Sequence, residues 1–218
     1  EFLEKPSFEE INTNLINAGT YIIEPHILGH VPENEVYSFE RELFPKMLKL
    51  GYNIFGFVYE GYWLDVGTPE KYMTAHTDIL DKKVPFNFPY KKIYPNVYIG
   101  QGTKFKKENI AIGPVVIGDN TVLEEDVKIM PDTVIGCKCQ ISRGTSVSES
   151  IIFDDCKIGK DCIIRNSIIA RNVTIGDNVK IEGISIVGDN SEIGSNNILK
   201  NGIRINVNSK VTESQISF

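Results

Sequence analysis

The sequence predicts an α/β segment followed by a parallel β-solenoid, with the pattern changing near residue 97. Two observations carry this. Up to about residue 80, strand-like and helix-like stretches alternate, as they do in α/β layer architectures. From residue 97 a large aliphatic residue recurs every six positions, a period too long for strand alternation and too regular for loops.

The first element is "LINAGTYIIEP" (15–25), β-rich and closed by Pro25. "SFERELFPKMLKLG" (38–51) reads as an amphipathic helix. Ser38 is its N-cap, Leu43, Met47, Leu48 and Leu50 are its apolar side, and Gly51 is its stop. Pro45 should kink or restart it. "YNIFGFVYEGYWLDV" (52–66) reads as a strand or strand pair. A second helix opens at Thr68, a good N-cap, with Pro69 at the first helical position and Glu70 in the first turn. Residues 81–96, with three prolines among aromatics and lysines, read as an ordered connector.

The solenoid repeat places Ile117, Leu123, Ile129, Ile135, Ile141 and Val147 six apart. After a one-residue slip come Ile152, Ile158 and Ile164. After a second slip come Ile169, Ile175, Ile181, Val187, Ile193, Leu199 and Ile205. Each slip predicts a corner one residue shorter. Three hexapeptides make one triangular coil of about 18 residues, so 97–210 should form roughly six coils. The organisation expected is therefore 1–80, a connector over 81–96, the solenoid over 97–210 and a tail over 211–218.

Four positions after many of these aliphatics comes a smaller residue: Thr121, Val127, Thr133, Cys139, Thr145, Cys156, Cys162, Val173 or Val179. This small inward slot accounts for three of the four cysteines, since a free thiol packs as a compact hydrophobe. The spacing of Cys137, Cys139, Cys156 and Cys162 matches no common zinc pattern, and a disulfide framework is not expected in a chain of this class.

The 218 residues carry a formal charge of −6, which argues against a broad basic surface for nucleic acid. No run of 18 apolar residues and no signal peptide pattern is seen, so a soluble cytoplasmic protein with no membrane partner is expected. The acidic stretch at Glu33 and Glu35 reads as solvated surface.

The repeat resembles the hexapeptide-repeat left-handed parallel β-helix, and the left-handed winding is implied by that resemblance alone. Two enzyme groups carry such helices. In the acyltransferase group a histidine on the helix acts as the base. His26, His30 and His76 all lie outside the repeat here, which disfavours that group. The other group attaches the helix behind a sugar-1-phosphate nucleotidyltransferase domain with a partial Rossmann-like α/β sheet. "FLEKP" (2–6) resembles its sugar-binding E-K-P motif, "NAGTYI" (17–22) its N-A-G segment, and "WLDVGTPEKY" (63–72) its metal-binding strand end. Their order and the repeat together make the resemblance cover nearly the whole chain.

The resemblance implies attack of a sugar 1-phosphate on the α-phosphate of a nucleoside triphosphate, releasing pyrophosphate. Asp65 would be one of two carboxylates holding Mg²⁺, a hard cation suited to oxygen ligands. Glu4 would bond sugar hydroxyls, Lys5 would place its ammonium on the sugar phosphate, and Asn17 and Gly19 would line the sugar pocket. "YSFERELFPKMLKLG" with "GYWLDVGTPEKY" looks most like mannose-1-phosphate guanylyltransferases. Glucose-1-phosphate thymidylyl-, adenylyl- and uridylyltransferases are the alternatives. A non-catalytic assembly module also stands as a reading, and a homo-oligomer is expected.

Plainer readings exist for each residue. Asp65 would cap the turn toward Thr68, Glu4 and Lys5 would be an exposed pair, Asn17 a turn former, and Trp63 core packing. The family's glycine-rich loop and second metal-binding Asp are not in these 218 residues. The expectation is that the natural polypeptide continues N-terminally and that this chain alone does not catalyse transfer.

Overall fold

A computed structural model of the chain describes residues 8–10 and 13–217. It divides into two compact units, the boundary falling between Gly61 and Tyr62. The order is consistent with the one expected: helical elements, an antiparallel strand pair over 91–99, and then a parallel β-solenoid of about six turns.

In the first unit, Pro25–His30 is a 3₁₀ helix and Phe39–Leu43 a π-helical turn leading into helix α1, Phe44–Lys49. Ser38 caps the start as expected, its hydroxyl accepting from the Arg41 amide at 3.1 Å. The Glu42 carboxylate returns the favour by accepting from the Ser38 amide at 2.7 Å. This is a capping box lengthened by one residue, because the Leu43 amide reaches back five positions to the Ser38 carbonyl. Pro45 restarts rather than kinks the run, occupying the first turn of α1, where its missing N–H costs nothing. Gly51 ends it at φ +82°.

Two expectations for this region are corrected. Leu43 and Met47 are buried with Phe44, but Leu48 and Leu50 are exposed. The stretches 15–25 and 52–66 form no strand among the described residues. Their apolar alternation fits a sheet, yet a strand exists only where a neighbour completes its backbone hydrogen bonds. Phe55, Phe57, Val58 and Tyr59 are exposed accordingly.

The second unit holds helix α2, Pro69–Leu80, and the solenoid. Three parallel sheets form its sides. The first sheet has eight strands and begins with Lys91–Tyr94 pairing antiparallel to Val97–Ile99; the other two have six each. Val97 pairs with Val115 and Val115 with Thr133, one coil being 18 residues. Val134 then pairs with Ile151 and Ile151 with Ile168, each 17 residues on. Ile168 to Ile186 and Ile186 to Arg204 restore 18. The two sequence slips are therefore two shortened corners.

The predicted interior is the observed one. All the six-spaced aliphatics from Ile117 to Leu199 are buried, and Ile205 at the end is half-buried. The small slots are closed to solvent as well. A threonine fits there because its hydroxyl is used: Thr121 Oγ1 donates to the Gly136 carbonyl at 2.8 Å and accepts from the Cys139 amide at 3.1 Å. The recurring "IGDN" has two causes. A Cβ on Gly118 would stand 2.7 Å from the backbone of the next coil. The Asn two places later, as at Asn120, Asn178 and Asn190, sits at φ +56° to +58°, a left-handed conformation its short polar side chain tolerates.

One feature of the first sheet was not anticipated. Its outward positions are apolar too, and Val116, Ile151 and Ile168 are only 6, 3 and 7% exposed. Helix α2 meets the solenoid at the corner after Ile151 and Ile152, where Tyr72 stacks on Phe153. The signal was in the sequence at three-hexapeptide spacing: "VVI" at 115, "TVI" at 133, "II" at 151, "SII" at 167 and "SIV" at 185. On the other two sides the equivalent neighbour is mostly polar, as at Lys128, Gln140, Lys157 and Thr174.

Candidate functional site

Asp65 lies on an irregular segment between Tyr62 and the start of α2. Its carboxylate is exposed, and it makes no hydrogen bond or ion pair among the described residues. The capping reading does not hold for it, because Thr68 caps α2 itself, accepting from the Lys71 amide at 3.3 Å. Glu70 turns its carboxylate to its own amide and to the Thr68 hydroxyl, which lowers its pKa. Trp63, expected as core packing, is 46% exposed. The residues around it form no strand, so no second layer covers the ring.

The segment is tied at its front end by a feature that sequence reasoning missed. The Tyr62 hydroxyl donates to Asp78 Oδ2 at 2.7 Å, and Lys83 Nζ lies 2.6 Å from Asp78 Oδ1. Lys83 first, then Tyr62, holds the Asp78 carboxyl below its ordinary range. Asp78 in turn raises Lys83 and Tyr62. No local pattern announces a pair sixteen residues apart.

In the first unit Asn17 and Gly19 meet. Asn17 Oδ1 accepts from the Gly19 amide at 3.0 Å, and Gly19 has φ +69°, so Asn17 does form a turn. Its Nδ2 also donates to the Tyr21 hydroxyl, which donates to Glu40 Oε1 at 2.7 Å. The Tyr21 hydroxyl leads the causes that lower the Glu40 pKa. Asn17 and Gly19 are both exposed. Glu4 and Lys5 lie outside the described residues.

His76 is half-buried on α2, its ring 4.7 Å from that of Tyr72, and burial pushes its pKa down. Cys139, Cys156 and Cys162 are buried, whereas Cys137 is half-buried. Burial raises the Cys162 thiol to about 11. A concavity of about 680 Å³ opens beside the first coil, between Tyr90, Ile93, Gln101 and Asp119. It gathers no set of catalytic groups. Among the described residues no three His, Cys, Asp or Glu side chains come together as a metal site. Asp65 therefore fits a metal as a single free oxygen donor, in keeping with a Mg²⁺ ion that takes one or two protein carboxylates and fills its shell with water and phosphate.

The chain matches two family models: "Nucleotidyl transferase" over residues 1–82 and "GMPPB C-terminal domain" over 111–217. A UTP–glucose-1-phosphate uridylyltransferase of Synechocystis is 34% identical over 72% of this chain and 41% of its own length. A mannose-1-phosphate guanylyltransferase of Mycobacterium tuberculosis is 30% identical over 72% of this chain and 38% of its own. Mannose-1-phosphate guanylyltransferase 1 of Arabidopsis thaliana is 30% identical over 93% and 51%. The chain thus spans about two-fifths to one half of the length of these relatives. With one model on its α/β portion and the other on its solenoid, the chain belongs to the sugar-1-phosphate nucleotidyltransferase family.

Proposed function

We propose that this chain is the sugar-phosphate-binding part of an enzyme that joins a nucleoside triphosphate and a sugar 1-phosphate into a nucleotide sugar and pyrophosphate. The observation that carries the reading is Asp65: an exposed carboxylate without a partner, on a segment tied at both ends, inside the region that the nucleotidyl transferase model matches. A carboxylate left free of cationic neighbours stays available to a cation.

In this reading Asp65 would hold Mg²⁺, which when bound neutralises phosphate charge and steadies the triphosphate. Lys5 would hold the sugar phosphate, and Glu4 would accept from sugar hydroxyls. Asn17 and Gly19 would line the sugar site, with the glycine allowing close backbone approach. A phosphate oxygen of the sugar attacks the α-phosphorus in line while the bond to pyrophosphate breaks. The protein contributes alignment and charge neutralisation rather than covalent chemistry.

The guanylyl-mannose type is the finer proposal, supported by the match of the solenoid to the GMPPB C-terminal domain. We further propose a cytoplasmic homo-oligomer, and that residues 1–218 alone bind sugar phosphate without turnover, since the family's glycine-rich loop is not among them. No helix among the described residues is long and apolar enough to cross a membrane.

The test is pyrophosphate release by the full polypeptide, with GTP and mannose 1-phosphate set against UTP, ATP or dTTP and glucose 1-phosphate. GDP-mannose formation that falls at least 100-fold in Asp65→Asn is expected. Faster turnover with a glucose 1-phosphate pair overturns the mannose assignment. Unchanged turnover in Asp65→Asn overturns the role of Asp65. Nucleotide-sugar formation by residues 1–218 overturns their catalytic incompleteness, and light scattering that gives a monomer overturns the oligomer.

A further inference from the structure

Asp78 is 8% exposed, in the last turn of α2, and both of its carboxylate oxygens are used. A buried carboxylate is tolerable only when it is so satisfied. The helix end explains the arrangement. The Lys83 amide donates to the Asp78 carbonyl at 2.9 Å, and the Lys82 amide to the Ile79 carbonyl at 3.1 Å, with Lys82 at φ +63°. This is a Schellman ending. It turns the chain so that the Lys83 side chain folds back onto Asp78 Oδ1, leaving Oδ2 for Tyr62.

The other end of the tie matters for Asp65. From Tyr62 to Thr68 the chain has neither helix nor strand. It is anchored to α2 twice: at Thr68, where it becomes the helix cap, and at Tyr62, whose hydroxyl reaches Asp78. From Pro69 to Asp78 the helix rises about 14 Å. Five residues, Trp63 to Gly67, lie between the anchors. Asp65 sits at the middle of a strap held at both ends, and its carboxylate is the one acid on it.

We propose that Asp78 is a positioning residue: with Lys83 and Tyr62 it holds the strap that carries Asp65, and so sets the affinity of the Asp65 carboxylate for a divalent cation. The inference rests on the reading of Asp65 given above. Releasing the Tyr62 anchor leaves the strap fixed only at Thr68, and the carboxylate then loses its fixed place.

Mn²⁺ is the probe, titrated into the 218-residue chain while paramagnetic broadening of backbone amide signals over residues 63–68 is followed. The expected result is saturable broadening there that disappears in Asp65→Asn. In Tyr62→Phe and in Asp78→Asn, half-saturation should move to about 3- to 10-fold higher Mn²⁺, with the thermal unfolding midpoint of the solenoid unchanged. A merely structural role would move the midpoint instead. Tyr62→Phe removes one hydroxyl and keeps the test open if Asp78→Asn fails to fold. Wild-type affinity in a folded Tyr62→Phe overturns the positioning role and leaves the role of Asp65 standing. Broadening that persists in Asp65→Asn, or is missing from the unaltered chain, overturns both.

Discussion

Tyr72 of helix α2 stacks on Phe153 at the first corner of the solenoid's fourth coil, ring centroids 6.4 Å apart and planes within 8°. It is one direct link between the helix that follows Asp65 and the solenoid. The pair should couple by about 0.5–1.5 kcal/mol beyond the area it covers. Urea unfolding of Tyr72→Ala, Phe153→Ala and the double variant measures it. Strictly additive losses would mean that the rings do not support one another.

Ile135 is buried in the middle of the interior column, with solenoid coils on either side. Ile135→Ala leaves a cavity that rigid stacked coils cannot close, and should cost about 2–5 kcal/mol. Lys157 points outward from the second sheet, and Lys157→Ala should change stability by less than about 0.5 kcal/mol. Chemical denaturation of both variants is the comparison.

Ile184 stands at φ +59° at a corner where Asn or Asp is the usual occupant. A β-branched side chain in this conformation is strained by roughly 1–2 kcal/mol. Ile184→Asn should therefore raise stability by about 1 kcal/mol, seen as a higher urea midpoint with an unchanged slope.

His76 has its pKa lowered by burial. The unfolded chain then takes up the proton more readily than the folded one, so stability falls as pH drops through about 6.5 and keeps falling until the folded group is protonated. Melting temperatures at pH 7.5, 6.5 and 5.5 should show this decline. His76→Gln should flatten it over the same window.

Cys137 is the only half-buried cysteine, the other three being buried. A thiol reagent applied to the native chain should modify Cys137 first and reach the others only on unfolding. Fast native labelling of Cys162, whose thiol burial raises to about 11, would contradict the packing described.

Much of this molecule was legible in one dimension because the solenoid is nearly one-dimensional. Each coil meets only its neighbours, so Ile117, Ile135 and Ile152 share one environment and the sequence repeats it. The two slips, the small slots of Cys139, Cys156 and Cys162, and the caps at Ser38 and Thr68 are local or periodic, and all were readable. Trp63 and the 52–66 stretch were misread for the opposite reason. Aromatic alternation states a preference for a sheet, but only a neighbouring strand can satisfy it.

The sequence by itself determined the six-residue period, the inward column, the family and the isolated acid at Asp65. Only the tertiary structure decided that α2 meets the solenoid through Tyr72 on Phe153, and that Asp78 ties Tyr62 to the end of that helix. Periodicity records what each coil requires of the next. A hydrogen bond between residues sixteen apart depends on how the chain turns at Lys82 and where α2 comes to rest, and no local pattern specifies either.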